Sequence, residues 1–149
     1  MEHGVYRSQK QEHLYELLTD KAKGLFKTKQ AVMMFAAATG WYIKERKERD
    51  KGGELIRWDP FINQNDDVFI YLLALAESET IEILDKEGME EGDSPVTIFE
   101  EYATAGLEYL KTRCINAQGT LLDNFLDFIE EMNQNSADVA PSLDSFFME

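Results

Sequence analysis

Residues 31–41 read Ala31-Val32-Met33-Met34-Phe35-Ala36-Ala37-Ala38-Thr39-Gly40-Trp41. Nearly every residue in this run is apolar, and a helix that is apolar on all sides is buried on all sides. Thr28, just upstream, is a favourable N-cap residue for such a helix. We therefore expect a buried central helix, whose three consecutive alanines would let neighbouring helices approach closely.

Two further segments are predicted to be helical from their apolar spacing. Residues 8–20 contain a narrow stripe of leucines among polar residues, which is typical of a surface helix. Residues 68–76 form a continuous apolar run that fits either a strand or a helix. We prefer a helix, because Asp66 and Asp67 supply a cap and suit the positive end of the helix dipole, and because no second strong strand is present.

The last two helices are marked by their capping residues. Ser94-Pro95 has the order of an N-cap followed by proline at the first helical position. Thr120, followed by Asp123, resembles a capping box. We expect the acidic residues of these helices to face solvent: Glu100 and Glu101 in the first, and Asp127, Glu130 and Glu131 in the second.

Between the first and second halves, the chain changes direction. Residues 44–53 mix both charges and end on two glycines, which indicates a solvated helix end and a loop. Residues 54–58 are short and extended in character. The element count predicts an all-α fold, a compact bundle of about five or six helices with a short extended hook near residues 54–58. We place this single domain at residues 1–133 and expect an acidic flexible tail at residues 134–149.

Charge is distributed unevenly along the chain. Residues 1–60 carry 12 Lys/Arg against 9 Asp/Glu, whereas residues 61–149 carry 3 against 20. A free DNA duplex is therefore a poor ligand for the C-terminal part, because phosphate binding needs clustered cations. The expected partner is a basic protein surface, contacted by the acidic residues of the last two helices. In the tail, Phe146 and Phe147 are candidate anchors that become ordered on binding, with simple disorder as the open alternative.

The basic residues after the central helix are candidates for weak phosphate contact: Lys44, Arg46, Lys47 and Arg49. We prefer the alternative that they form a salt-bridged surface. Direct nucleic-acid binding is accordingly expected to be weak or absent, and self-association stays open.

The sequence offers little for catalysis. Its single cysteine, Cys114, fits a small core residue, and both histidines lie near an N-terminus that we expect to be frayed. The acidic loop from Asp85 fails as an EF-hand, because its sixth and twelfth positions hold Glu90 and Val96. We expect no catalytic residue, metal or cofactor. The lone cysteine and the lack of a long apolar segment predict a cytoplasmic protein outside the membrane.

Three blocks of the chain resemble a known family when they are taken together. In order and spacing they are similar to the small family called DNA phosphorothioation-associated protein 4, or Dnd system-associated protein 4. Arg57-Trp58 and Glu100-Glu101-Tyr102 are the most distinctive residues. The blocks are Val32-Met33-Met34-Phe35-Ala36-Ala37-Ala38-Thr39-Gly40-Trp41, Ile56-Arg57-Trp58-Asp59-Pro60-Phe61 leading into Phe69-Ile70-Tyr71-Leu72-Leu73-Ala74-Leu75-Ala76-Glu77, and Ile98-Phe99-Glu100-Glu101-Tyr102-Ala103-Thr104-Ala105-Gly106-Leu107.

The resemblance implies a bacterial protein associated with DNA sulfur modification and with its restriction or phage-defence machinery, and it implies no catalytic residue. Our leading hypothesis is a non-enzymatic accessory protein that binds a component of a DNA modification or restriction complex. The alternatives are an acidic DNA-mimic inhibitor of a DNA-binding protein and, less favoured, a metal-dependent nuclease subunit that uses Asp85, Glu87 and Glu91.

Overall fold

The computed structural model of the protein describes residues 4–85 and 93–137. Over these residues it contains six α-helices and one two-stranded sheet, which confirms the all-α fold class. These residues fall into two compact units, divided between Tyr109 and Leu110. The helices are α1 (Glu12–Leu18), α2 (Lys29–Ile43), α3 (Trp58–Asn63), α4 (Asp66–Ser78), α5 (Pro95–Leu110) and α6 (Leu121–Ala137), and the strands are β1 (Gly4–Tyr6) and β2 (Leu55–Arg57).

Helix α2 forms where the sequence predicts it. The Thr28 hydroxyl accepts a hydrogen bond from the backbone N–H of Ala31 at 3.1 Å, so the predicted N-cap is confirmed. The helix ends at Ile43, and Lys44 takes the left-handed conformation with φ 60°. Val32, Met33, Ala36 and Ala37 are among its buried residues, while Ala38 is exposed.

The backbones of α2 and α5 approach each other at two glycines. A Cβ atom on Gly106 would lie 1.7 Å from the carbonyl oxygen of Ala36 and 2.7 Å from the nitrogen of Gly40. A Cβ atom on Gly40 would lie 2.1 Å from the carbonyl oxygen of Tyr102. Only glycine leaves room for this contact. The sequence reasoning assigned the close approach to the alanines and missed both glycines.

The extended hook near residues 54–58 is confirmed as strand β2. Its partner is β1, which runs antiparallel to it with Val5 opposite Ile56. Val5 and Arg7 are buried, and the backbone N–H of Arg7 donates to the carbonyl of Glu54 at 3.0 Å. The expectation of a frayed N-terminus is therefore wrong from Gly4 onward. Three residues are too few to show a strand pattern in the sequence.

Helix α4 confirms the choice of helix for the apolar run at residues 68–76, but the predicted cap is wrong. Asn65 precedes the helix in the left-handed conformation with φ 62°, and its side chain makes no capping bond. Asp66 instead accepts a hydrogen bond from Gln30 Nε2 at 2.7 Å, which joins α4 to α2. A short 3₁₀ turn over Ile81–Asp85 follows the helix.

The predicted caps of α5 and α6 are confirmed. The Ser94 hydroxyl accepts from the backbone N–H of Thr97 at 3.2 Å, and the Thr120 hydroxyl accepts from that of Asp123 at 3.1 Å. Helix α6 extends to Ala137 and so includes the first four residues of the predicted tail, 134–137. Residues 138–149, with Phe146 and Phe147, lie outside the described part of the chain. The domain and tail boundary stays a prediction.

The second unit contains a π-helical turn over Lys111–Ile115, which the sequence reasoning did not predict. Cys114 is buried there, as expected of a small core residue, and burial raises the pKa of its thiol to about 11. Asn124 Nδ2 donates to the carbonyl of Cys114 at 2.9 Å and so joins this turn to α6. In the described ranges, no helix has the length and apolar character needed to cross a bilayer.

We predict that Gly106→Ala lowers the free energy of unfolding by about 2 kcal/mol or more, because the added methyl meets backbone atoms that have little freedom to move. Helix propensity alone predicts the opposite sign, a gain of about 1 kcal/mol. Urea denaturation decides between them. Glu108→Ala, at an exposed position of the same helix, is the control and is expected to change stability by less than about 0.5 kcal/mol.

Candidate functional site

The loop after α2 carries Arg46 into a group of three carboxylates. Its Nε donates to Glu101 Oε1 at 3.0 Å, and its Nη1 donates to Glu77 Oε2 at 2.8 Å. Asp93 accepts from both Nη1, at 3.1 Å, and Nη2, at 2.9 Å. Nη2 also donates to Glu101 Oε1 at 2.7 Å. These bonds use all five N–H groups of the guanidinium. We call Arg46, Glu77, Asp93 and Glu101 the Arg46 cluster.

Tyr102 extends the Arg46 cluster on one side. Its hydroxyl donates a hydrogen bond to Glu77 Oε1, and its ring meets Trp41 edge-on with centroids 5.6 Å apart. The bond from Tyr102, followed by that from Arg46, holds the pKa of Glu77 below its ordinary value. Burial, followed by the bond to Glu77, raises the pKa of Tyr102 to about 12. The tyrosine is therefore neutral and the glutamate ionised at neutral pH.

The Arg46 cluster links three parts of the first unit. Arg46 lies in the loop after α2, Glu77 on α4 and Glu101 on α5, with Asp93 just before the α5 cap. The space between the three carboxylates is occupied by the guanidinium of Arg46, and the Arg46 side chain is only 20% exposed. This geometry is that of a structural ion network rather than of an open ligand site.

Glu100 is buried, so the expectation that it lies on the outer face of α5 is wrong. It is 6% exposed, and its Oε2 accepts from the backbone N–H of Tyr6 at 2.7 Å. Its Oε1 accepts from Arg49 Nε at 3.3 Å. The carboxylate thereby gives the backbone N–H of Tyr6 in β1 a hydrogen-bond acceptor on α5. The sequence does contain a signal for this burial, because Glu100 lies three, four and seven residues before Ala103, Thr104 and Leu107 and therefore on the same buried side of the helix.

A second network, which the sequence reasoning missed, surrounds Arg7. Its Nε and Nη2 donate to the two oxygens of Glu12 at 2.9 Å and 3.0 Å, a bidentate pair. Lys29 Nζ donates to Glu12 Oε2 at 2.7 Å, and Arg7 Nη2 lies 3.4 Å from Glu54 Oε2. Burial alone would raise the pKa of Glu12, but the bonds from Arg7 and Lys29 outweigh it and lower the pKa.

The four predicted phosphate contacts lie in one loop but in different surroundings. The guanidinium groups of Arg46 and Arg49 bind carboxylates of the chain itself. Lys44 and Lys47 are exposed, and Lys44 Nζ lies 3.6 Å from the Trp41 ring centroid. The two arginines thus match the salt-bridged alternative. Weak phosphate contact stays a prediction for which the two lysines are the accessible groups.

Of the acidic residues predicted to bind a partner, some are engaged inside the protein and others are exposed. Glu100 and Glu101 take part in the internal networks described above. On α6, Asp127 and Glu130 are exposed, whereas Glu131 is half-buried and accepts from Arg113 Nη2 at 3.3 Å.

Exposed apolar residues accompany the acids of α6. Leu122 and Leu126 are each 52% exposed and lie four residues apart, in one row along the helix. We call the set Leu122, Leu126, Asp127 and Glu130 the α6 ridge. In the sequence these leucines only contribute to the apolar spacing of the last helix, and their exposure in the structure shows the ridge.

The carboxylates of the predicted acidic loop are not assembled into a site in the described ranges. Asp85 is exposed and Asp93 belongs to the Arg46 cluster, while Glu87, Glu90 and Glu91 lie outside those ranges. Within residues 4–85 and 93–137, no group of three or more His, Cys, Asp or Glu side chains is arranged to hold a metal ion. The nuclease alternative stays untested.

We predict that Arg46→Met lowers the free energy of unfolding by about 2–3 kcal/mol, because it leaves three carboxylates close together without their cation. The partial exposure of Arg46 keeps the loss below that of a fully buried pair. Urea denaturation at pH 7 measures it. Arg113→Met is the matched control, since its ion pair to Glu131 is longer, at 3.3 Å, and more exposed. An equal effect of the two substitutions would contradict the role given to the cluster.

Stability is expected to fall in acid partly through Glu77. Because its pKa in the folded protein lies below the ordinary value of 4.5, its contribution is complete above about pH 5 and is lost as the pH falls through the folded pKa. Glu77→Gln should therefore show a smaller loss of unfolding free energy between about pH 6 and pH 3 than the wild type. Glu130→Gln, at an exposed position, should show the same dependence of the unfolding free energy on pH as the wild type. Urea titrations at each pH compare the two.

Comparison with known proteins assigns the family. A family model described as DNA sulphur modification system-associated protein 4 matches residues 5–146. No curated protein and no solved structure matches the chain. The match extends across both units and confirms the resemblance inferred from the three sequence blocks. The chain therefore belongs to the family of DNA sulphur modification system-associated protein 4.

Proposed function

We propose that the protein is a non-enzymatic accessory or regulatory component of a DNA sulphur modification system, acting by binding a basic surface on another protein of that system. The family is associated with such a system by its description. A place in the associated restriction or phage-defence machinery, and a cytoplasmic location, are part of the proposal. The observation that carries it is the α6 ridge.

The α6 ridge has the composition of a protein-binding surface. Leu122 and Leu126 offer apolar area that would be removed from water on binding. Asp127 and Glu130 lie beside them and would form the charged rim, which sets the orientation and the rate of encounter. A basic partner is favoured because residues 61–149 carry 20 acidic residues against 3 basic ones.

The internal networks support a binding role. Arg7, Arg46 and Arg49 are turned toward carboxylates of the chain itself. Their guanidinium groups are therefore engaged within the protein, and the exposed charged residues of 61–85 and 93–135 are all acidic. Such a surface repels DNA phosphates and attracts a DNA-acting protein through its cationic regions.

We predict that the double substitution Asp127→Lys with Glu130→Lys weakens binding to the purified modification or restriction proteins of the same system by about tenfold or more. Biolayer interferometry at low and at physiological salt measures the affinity. Glu16→Lys with Glu108→Lys, at exposed acids of α1 and α5, reverses the same charge and is the control. If both double variants lose affinity equally, the loss is an effect of net charge and not of the α6 ridge. If the wild type does not bind these proteins at low salt, the proposal is refuted.

The same proteins test the acidic DNA-mimic alternative. Displacement of a labelled DNA duplex from the bound partner, followed by fluorescence polarisation, would assign that function in place of assembly. Binding without displacement supports the accessory role.

A further inference from the structure

Helix α4 in the first unit has an apolar outer face. Val68 is 51% exposed and Leu72 is 58% exposed, and Ala76, which continues the same row at a spacing of four, is exposed as well. We call these three residues the α4 face. Beyond the helix, Ile81 is 69% exposed.

The opposite side of α4 is already used by the core. Ile70, Leu73 and Ala74 are buried there. Helix α4 is therefore apolar on both sides, whereas a surface helix normally turns polar residues outward. Two large aliphatic side chains more than half exposed in one row are typical of a surface that another molecule covers.

The surroundings of the α4 face are acidic. Residues 58–85 contain seven Asp/Glu and no Lys or Arg. Two of the acids are held within the protein, Asp66 by Gln30 and Glu77 by Arg46. Asp67 is half-buried, and the exposed acids are Asp59, Glu79, Glu82 and Asp85.

We propose that the α4 face binds an amphipathic helix of a partner protein, with an apolar stripe flanked by Lys and Arg. The row at a spacing of four is the ridge that packs into the groove of a second helix. The exposed acids of the segments just before and just after α4 would contact the cationic flanks of that helix. The proposal adds a second binding surface and does not depend on the α6 ridge.

Other occupants fit the charge less well. A second copy of the chain would bring the same acids together across a two-fold interface. Residues 138–149 of the chain contain three acids and no Lys or Arg, so they do not complement the surface either. Nucleic acid and anionic lipid are repelled for the same reason.

The test uses a fluorescein-labelled 20-residue helical peptide with leucines at a spacing of three and four and lysines on both flanks. A matched peptide carries glutamate in place of each lysine. We expect the lysine peptide to bind the full chain in fluorescence anisotropy and the glutamate peptide to bind at least tenfold more weakly. Val68→Ser with Leu72→Ser should weaken binding of the lysine peptide at least tenfold. Leu17→Ser with Leu25→Ser removes two exposed leucines of the first unit that belong to neither binding surface, and the peptide affinity of this variant should stay within about twofold of the wild type.

A charge-reversed variant keeps the test valid if the serine variant is unstable. Glu79→Lys with Glu82→Lys alters two exposed side chains and should shift the preference toward the glutamate peptide. Failure of the lysine peptide to bind at low salt, or equal loss of affinity in the Val68→Ser/Leu72→Ser and Leu17→Ser/Leu25→Ser variants, would overturn the proposal. A wild-type dimer in sedimentation experiments that is lost in the Val68→Ser/Leu72→Ser variant would also overturn it and assign the face to a second copy.

Discussion

Helices α2 and α5 lie so close at Gly40 and Gly106 that no side chain fits between their backbones. Because of this contact, the Tyr102 ring packs against Trp41, and the loop that follows α2 runs alongside α5. Arg46 then meets Glu101, and Arg49 meets Glu100. The Arg46 cluster and the Arg49–Glu100 pair depend on this helix contact, since a wider separation would leave Glu100 and Glu101 without their cations in a poorly solvated region.

The ion networks also show how the folded chain uses the excess of basic residues in its N-terminal half. An excess of Lys and Arg in residues 1–60 suggests a phosphate-binding surface when the sequence is considered alone. In the folded chain, three of its arginines bind acids that come from α1, the region before α5 and α5 itself. Part of the positive charge is thus used to hold elements together, while several lysines stay exposed, and the exposed charged residues of 61–85 and 93–135 are all acidic. This arrangement is consistent with a protein that belongs to a DNA modification system and is proposed to contact its protein components rather than the DNA.

The two candidate binding surfaces share one design, although they lie in different units. In each, aliphatic side chains four residues apart form an exposed row, and exposed acidic residues lie on the same helix or on the adjoining segments of the chain. The apolar row would supply the area removed from water, and the acids would select cationic partners. Both surfaces combine exposed apolar side chains with acidic residues of the same helix or the adjoining segments, which supports the proposed binding role.

Local signals in the sequence were sufficient for the all-α class, for the caps at Thr28, Ser94 and Thr120, and for the extended segment at residues 54–58. Each of these depends on hydrogen bonds or backbone preferences within a few residues, which a single chain segment expresses by itself. The strand partner of that segment, the role of Gly40 and Gly106, the burial of Glu100 and the Arg46 cluster were decided by the tertiary structure. These features join residues up to 94 positions apart, as in the bond from Tyr6 to Glu100. Their partners are set by how whole helices pack, which no local pattern of residues encodes.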